Sequence, residues 1–273
     1  MNMNKEMVTT GSGADDPGEL HGQNSGILYG IGVGPGNPKL MTLEAIETIR
    51  SCDVILLPAV SKDECYAYRI VRQVCPEIED MPLLCLPFPM IRDKQELALA
   101  HNKAYETVKA YLDRGQSVGM LTIGDPAIYS TYLYMHYRAV EADFQAVMIS
   151  GVPSFCASAC RLGISLGEKN EEIHIIPASY SIEEALKYSG TCIYMKSGRH
   201  LKELLAGLRE QQEKGRRLRA YGVANCGMEN EQVYQGLDEL ERAEGYLVTV
   251  IVKMEYCLPR RFRAGVKKEW KKI

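Results

Sequence analysis

The chain lacks three things that would assign it quickly. It has no run of about 18 apolar residues, so no membrane-spanning helix is expected. Its nine cysteines form no C-x-x-C pair. Cys156 and Cys160 share a helical face, but no nearby histidine completes a metal set, so no metal site is expected. An odd number of thiols scattered through apolar segments points to reduced core cysteines in a cytoplasmic protein. Residues 1–25 are polar and glycine-rich and lack the basic start and apolar centre of a signal peptide. They read as a disordered extension or as an expression scar. The third absence is a complete nucleotide fingerprint. Gly30-Ile31-Gly32-Val33-Gly34-Pro35-Gly36-Asn37-Pro38 follows an apolar stretch, yet the G-x-G-x-x-G frame ends on Pro35 or on Asn37. No Gly-Lys-Ser/Thr follows, and Pro35 removes an N–H that a phosphate cradle would use. The loop allows a sharp turn and close approach of a ligand, but a pyrophosphate is a poor fit.

What is present bounds the rest. A chain of 273 residues, 46% of them hydrophobic, can bury one large core or two modest ones, and its length favours two domains. A net charge of −3 argues against broad nucleic-acid binding. The exception is residues 257–273, where Arg260, Arg261, Arg263, Lys267, Lys268, Lys271 and Lys272 oppose only Glu269. That basic tail reads first as a solvated end and second as an RNA contact.

Strand and helix signals alternate along the chain. Strands are expected at Ile27–Val33, Val54–Leu57, Leu83–Leu86, Ser117–Ile123 and Ala146–Ile149. Helices follow Pro38, run over Tyr66–Val74, and extend from an Asp93 cap to Gly115. Gly124-Asp125-Pro126 is expected to open another helix. From Pro153–Leu162 onward, strands at Ile173–Ile176, Cys192–Met195, Leu218–Ala224, Gln232–Tyr234 and Leu247–Val252 alternate with helices at Ile182–Tyr188 and Leu201–Glu213. Leu237–Arg242 is short for a crossover. The pattern is α/β, with a mainly parallel sheet in residues 26–149 and a mixed one in 150–256. Ligands of open α/β sheets bind beyond the carboxyl ends of strands. Three special loops fall there, Gly32–Asn37, Thr122–Tyr129 and Ser150–Phe155, and the second half adds Tyr194–Lys196 and Val223–Asn225. Their polar inventory of Asp125, Ser154, Asn225 and backbone groups suits holding an adenosine with an amino-acid tail better than hydrolysis.

Taken in order, GVGPGNP (Gly32–Pro38), TIGDPAIYS (Thr122–Ser130) and ISGVPSF (Ile149–Phe155) resemble the tetrapyrrole methylase superfamily, over about Ile27 to Lys253. LPFPMIRD (Leu86–Asp93), DPAIYSTYLYMH (Asp125–His136) and SFCASACRLGISLGE (Ser154–Glu168) narrow the resemblance. They are similar to the members that methylate C20 of precorrin-2, or of cobalt-factor II, in cobalamin synthesis. The resemblance implies two α/β domains with S-adenosylmethionine (SAM) and substrate in the cleft between them, and commonly a homodimer. It implies that Gly124, Asp125, Ile128, Tyr129, Ser154, Phe155, Met195, Ala224, Tyr246 and Val248 line the SAM pocket. Gly34, Pro35 and Gly36 border the tetrapyrrole side, and Arg92, Tyr132 and His136 fall toward the substrate trough. Any cobalt would travel with the substrate.

Methyl transfer from SAM needs alignment and desolvation more than acid–base chemistry. A proton must still leave C20, and Asp125, His136 and Tyr132 are the candidate bases. Each has a plainer alternative: Asp125 as a helix cap, Tyr132 and His136 as members of a tyrosine-rich helix. An octacarboxylate substrate calls for cations, and Arg69, Arg72, Arg92, Lys94, Lys196 and Arg199 lie near the expected strand ends. Two positions depart from the family pattern, Pro153 where a hydroxyl residue is typical and Val248 where a serine is. Besides the methylase, two alternatives follow: another methyltransferase of the superfamily, or a catalytically silent SAM- or tetrapyrrole-binding protein.

Overall fold

The computed structural model describes residues 26–89, 93–177 and 181–254. In the first half the strands are β1 (Ile27–Gly32), β2 (Val54–Leu57), β3 (Leu83–Cys85), β4 (Val118–Thr122) and β5 (Gln145–Ile149). They form one sheet in the order β3-β2-β4-β1-β5, with every pairing parallel. Every residue of β2 and β4 is buried, as continuous apolar runs in a sheet covered on both faces require. One face packs on α1 (Leu43–Ser51) and α2 (Tyr66–Val71) through Ile31, Ile49, Ile55, Tyr68 and Leu121. The other packs on α3 (Lys94–Leu112) and α4 (Tyr132–Glu141) through Leu28, Leu56, Val108, Met120 and Met135. Each fully buried aliphatic of this kind contributes about 1.5–3 kcal/mol of transfer free energy.

Caps fix where the helices begin. Thr42 Oγ1 accepts from Ala45 N at 3.1 Å, and Asp93 Oδ1 accepts from Gln95 N at 2.8 Å and Glu96 N at 2.9 Å, satisfying amides that a helix start leaves open.

The second half holds α5 (Ser154–Leu162), β6 (Ile173–Pro177), α6 (Ile182–Ala185), β7 (Thr191–Met195), α7 (Leu201–Glu213), β8 (Leu218–Ala224), β9 (Gln232–Gln235), α8 (Leu237–Leu240) and β10 (Val248–Met254). The sheet order is β6-β7-β10-β8-β9. β6 and β7 are parallel, while β10 lies antiparallel to both β7 and β8. β9 and β10 both lie antiparallel to β8, on either side of it, so they run parallel to each other and the segment carrying the four-residue α8 is the crossover that joins them. α7 and α8 cover one face of this sheet and α5 the other.

Two expected elements change. No helix opens at Gly124–Pro126; that segment is a turn, and α4 starts at Tyr132. Asp125 Oδ1 takes the N–H of Ala127 at 2.8 Å and Tyr129 sits at φ 47°, so the chain leaves helical geometry before it can propagate. The helix expected over Ile182–Tyr188 stops at Ala185, because the Arg216 guanidinium takes the carbonyls of Leu186 and Tyr188.

Candidate active site

The carboxyl ends of β1, β4 and β7 and the amino end of β10 face one cleft of about 1000 Å³. Its first wall is a knot of backbone. The glycine loop after β1 meets the loop after β4 through a reciprocal pair, Gly124 N to Gly34 O at 2.8 Å and Gly34 N to Gly124 O at 3.3 Å. Gly36 presses on the second half: a Cβ there would lie 2.4 Å from Cys226 O. Only Pro35 of Gly34, Pro35 and Gly36 lines the cleft itself; the two glycines seat the proline. With no N–H on Pro35, this loop is a wall and not an anion cradle.

Asp125 ties the same knot. Its Oδ2 accepts from Gly151 N at 3.1 Å while Oδ1 holds Ala127 N, so both carboxylate oxygens are engaged in fixing the loops after β4 and β5. Gly151 packs so closely that a Cβ on it would approach Gly124 O to 2.1 Å. Asp125 therefore does not cap a helix; its carboxylate is fixed by two backbone N–H groups on the cleft wall.

The second half supplies the opposite wall. Tyr129 reaches over to it, its hydroxyl donating to Ile175 O at 3.0 Å. Lys196, left-handed at φ 55° beyond the end of β7, returns the contact by donating Nζ to Tyr129 O at 3.1 Å, and the same ammonium stands 5.8 Å from the Tyr246 ring. Three of the non-glycine residues at positive φ, Tyr129, Lys196 and Asn225, thus sit at strand ends around this cleft, where strained backbone concentrates in functional sites. Ser154 Oγ and Thr249 Oγ1 are 3.4 Å apart on the cleft wall. Thr122 Oγ1 and Ser130 Oγ are 2.7 Å apart on the facing loop.

Of the residues assigned to the cofactor from sequence, Gly124, Asp125, Ile128, Tyr129, Ser154, Met195, Tyr246 and Val248 line the cleft. Phe155 and Ala224 do not; they are buried, Phe155 against Ile193 and Met195, Ala224 in the core beneath β10. Pro153, one of the two departures, lines the cleft and holds φ −65° as the residue before α5, a geometry its ring favours. Beside the other departure, Val248, Thr249 brings a hydroxyl to the wall.

The structure moves Tyr132 and His136 away from the cleft. The Tyr132 ring fills the space over Gly30, where a Cβ would clash at 2.3 Å. Its hydroxyl donates to Val147 O at 2.9 Å, with Leu28 O at 3.3 Å and His136 Nδ1 at 3.3 Å. Leu28 and Val147 lie short of the carboxyl ends of β1 and β5, so this pair belongs to the core under α4. Burial pushes the Tyr132 hydroxyl pKa well up and holds that of His136 down. Arg92 lies outside the described residues, as do the side chains of Lys94 and Arg199. Arg69 lies over the Tyr66 ring at 4.3 Å at the cleft edge, and Arg72 is exposed beyond α2.

What sequence reasoning missed is the far end of the cleft, built from side chains of α2, α3 and α4. Tyr66, Phe88, Leu97, His101, Tyr134 and Tyr137 line it. His101 is only 4% exposed and stacks on Tyr134 with ring centroids 4.1 Å apart. The readable signal was its register: Leu97, His101, Ala104, Val108 and Leu112 form one stripe of α3, so an imidazole sits on the buried face of an amphipathic helix.

A family model described as Tetrapyrrole (Corrin/Porphyrin) Methylases matches residues 27–241. The chain belongs to this family. Among its relatives, a protein of Methanocaldococcus jannaschii named probable cobalt-precorrin-2 C(20)-methyltransferase is 33% identical, over 83% of this chain and 95% of its own length. The cobalt-precorrin-2 C(20)-methyltransferase of Salmonella typhimurium is 28% identical over 85% and 98%. The fold is shared with solved tetrapyrrole methyltransferases. A cobalt precorrin-4 methyltransferase superposes with TM-score 0.63 at 18% identity, over 83% of this chain and 94% of that one. The uroporphyrin-III C-methyltransferase of Thermus thermophilus, solved with S-adenosyl homocysteine, gives 0.61 at 17% identity, over 84% and 97%. This methylase has no helix, among the described residues, long and apolar enough to cross a membrane.

Proposed function

We propose that this methylase transfers the methyl group of SAM to C20 of precorrin-2 or its cobalt-bearing form, a step of cobalamin synthesis. The observation that carries the reading is a cleft of about 1000 Å³, at the upper end of the usual range for one small ligand, in a chain whose relatives carry that activity in their names. Its two ends differ in chemistry as two reactants would require. The end around Gly124, Ser154, Met195 and Thr249 offers hydroxyls, main chain and a thioether, which fits an adenosine and an amino-acid tail and gives a phosphate little to hold. The end around Tyr66, Phe88 and Tyr134 offers flat apolar faces for a macrocycle.

SAM supplies an activated methyl on a sulfonium. The chain's own residues do the rest: the Gly34–Gly124 and Asp125–Gly151 ties hold one wall rigid, and Tyr129 and Lys196 fasten it to the other. Alignment of this kind is worth about 7–11 kcal/mol of barrier in well-oriented systems. In this reading residues 26–149 and 150–256 act as two domains around the cleft, in a reducing cytoplasm that suits the eight free cysteines of the described residues. A homodimer would cover the exposed Leu99 and Val140 on α3 and α4. Anaerobic incubation with SAM and precorrin-2 or its cobalt form, followed by mass spectrometry, tests the activity: one added methyl is expected. SAM binding without turnover on either substrate would instead favour a silent binding protein.

A further inference from the structure

We propose that His101 is the general base that removes the C20 proton after methyl transfer. The inference rests on the proposed C20 methylation and assigns a residue to its one proton transfer. The chemistry leaves C20 with a proton to lose. C20 gains a bond to the methyl carbon as the methyl–sulfur bond breaks, with that electron pair staying on sulfur. C20 then bears both hydrogen and methyl as a saturated carbon, next to a cationic conjugated system. Breaking C20–H returns its electron pair to the macrocycle and sends the proton to a base.

The described cleft offers few groups able to take it. Both oxygens of Asp125 already accept backbone N–H groups. Glu64 is exposed and accepts from Ser61 Oγ at 3.1 Å. Lys196 is a cation bound to Tyr129 O. Burial raises the thiols of Cys65 and Cys226 and keeps them protonated. His101 remains. It is a cleft-lining imidazole, 4% exposed, whose contacts are ring contacts, with Tyr134 at 4.1 Å and Phe88 at 5.9 Å. An imidazole held by ring contacts on a cleft wall is placed to meet a ligand. It stands among the aromatic side chains that would receive the macrocycle. The groups facing it are Tyr134 and Arg138 on α4; its own burial first, and then the Arg138 charge, hold its pKa below the usual imidazole value. At neutral pH it is therefore uncharged and able to accept a proton.

The test uses His101→Gln and His101→Phe in the full chain, with substrate carrying deuterium at C20. Nitrogen NMR of the free wild-type protein first places the imidazole pKa, expected below 6.5. SAM affinity by calorimetry is expected to stay within twofold of wild type in both variants, which also reports folding. Turnover is expected to fall about 100-fold or more, the usual scale for a lost general base. A C20 deuterium effect absent from wild type should emerge in the variants as proton removal becomes limiting. Turnover within threefold of wild type with SAM still bound overturns the assignment, and so does a loss of turnover with no deuterium effect. If the wild-type protein itself adds no methyl at C20, the functional reading fails and takes the His101 role with it. If wild type methylates and the variants do so equally well, only the His101 role falls.

Discussion

The two ends of the cleft are built by different means. Around Gly34, Gly124 and Gly151 the wall is main chain, locked by the reciprocal Gly34–Gly124 hydrogen bonds and the Asp125 carboxylate. Around His101 the wall is side chains from three helices, held by stacking on Tyr134 and packing against Phe88. Backbone walls tolerate almost no added volume; side-chain walls tolerate substitution but set which ligand face is welcome. The first should therefore govern SAM affinity and stability together, and the second should govern substrate affinity and the proton step with little effect on SAM.

The sharpest way to break the comparison is Gly151→Ala. Its Cβ would lie 2.1 Å from Gly124 O, so backbone must move; a loss of about 3 kcal/mol is expected, with SAM affinity falling alongside. Urea unfolding and calorimetry check both, and an alanine variant of unchanged stability would show that the wall is soft. Next is Asp125→Asn. An amide cannot accept from both Ala127 and Gly151, and an unmatched N–H pair costs about 2 kcal/mol. Thermal unfolding and SAM affinity should both weaken; a fall in turnover with both unchanged would instead make Asp125 a base. On the other end, Tyr134→Leu removes the His101 stack, worth about 1 kcal/mol. The expected result is a roughly fivefold rise in KM for the tetrapyrrole at constant SAM affinity, and a weakened SAM site would erase the distinction between the two ends.

The smallest effect is on pH stability. Burial lowers the pKa of His101 and His136 below 6.5 in the folded chain, while the unfolded chain titrates near 6.5. Below that value the unfolded state binds more protons, so the stabilisation is complete above about pH 6.5 and is lost as pH falls through the folded values. Tm should hold level from pH 8 to 7 and decline toward pH 5; a flat Tm down to pH 5 would contradict neutral, partly desolvated imidazoles.

The difference between the two ends also explains what could be read from sequence. Glycine and proline write backbone geometry into the chain directly, so the loops at Gly32–Asn37, Thr122–Tyr129 and Ser150–Phe155 could be placed at strand ends, and the structure gathers them around one cleft. The sheets were legible because buried parallel strands such as Val54–Leu57 are continuous apolar runs. Side-chain direction was not. Tyr132 and His136 share a motif with Asp125, yet α4 begins later than the motif suggests and turns both under the sheet. His101 was hidden for the converse reason: its helix follows the Leu86–Asp93 segment directly, yet His101 lies outside every motif, and only tertiary packing brings it beside Tyr134. The expected ring of cations is legible only in part, since Arg92 and the side chains of Lys94 and Arg199 lie outside the described residues. Of those proposed to ring the substrate, Lys196 lines the described cleft, and its ammonium is engaged with Tyr129.

The most direct measurement of the central claim is carbon NMR of the product made anaerobically from precorrin-2 or its cobalt form with SAM labelled at the methyl carbon. The expected result is one labelled methyl, attached to C20, with no hydrogen remaining on that carbon. A labelled methyl at any other position, or no label transferred by protein that binds SAM, would contradict it.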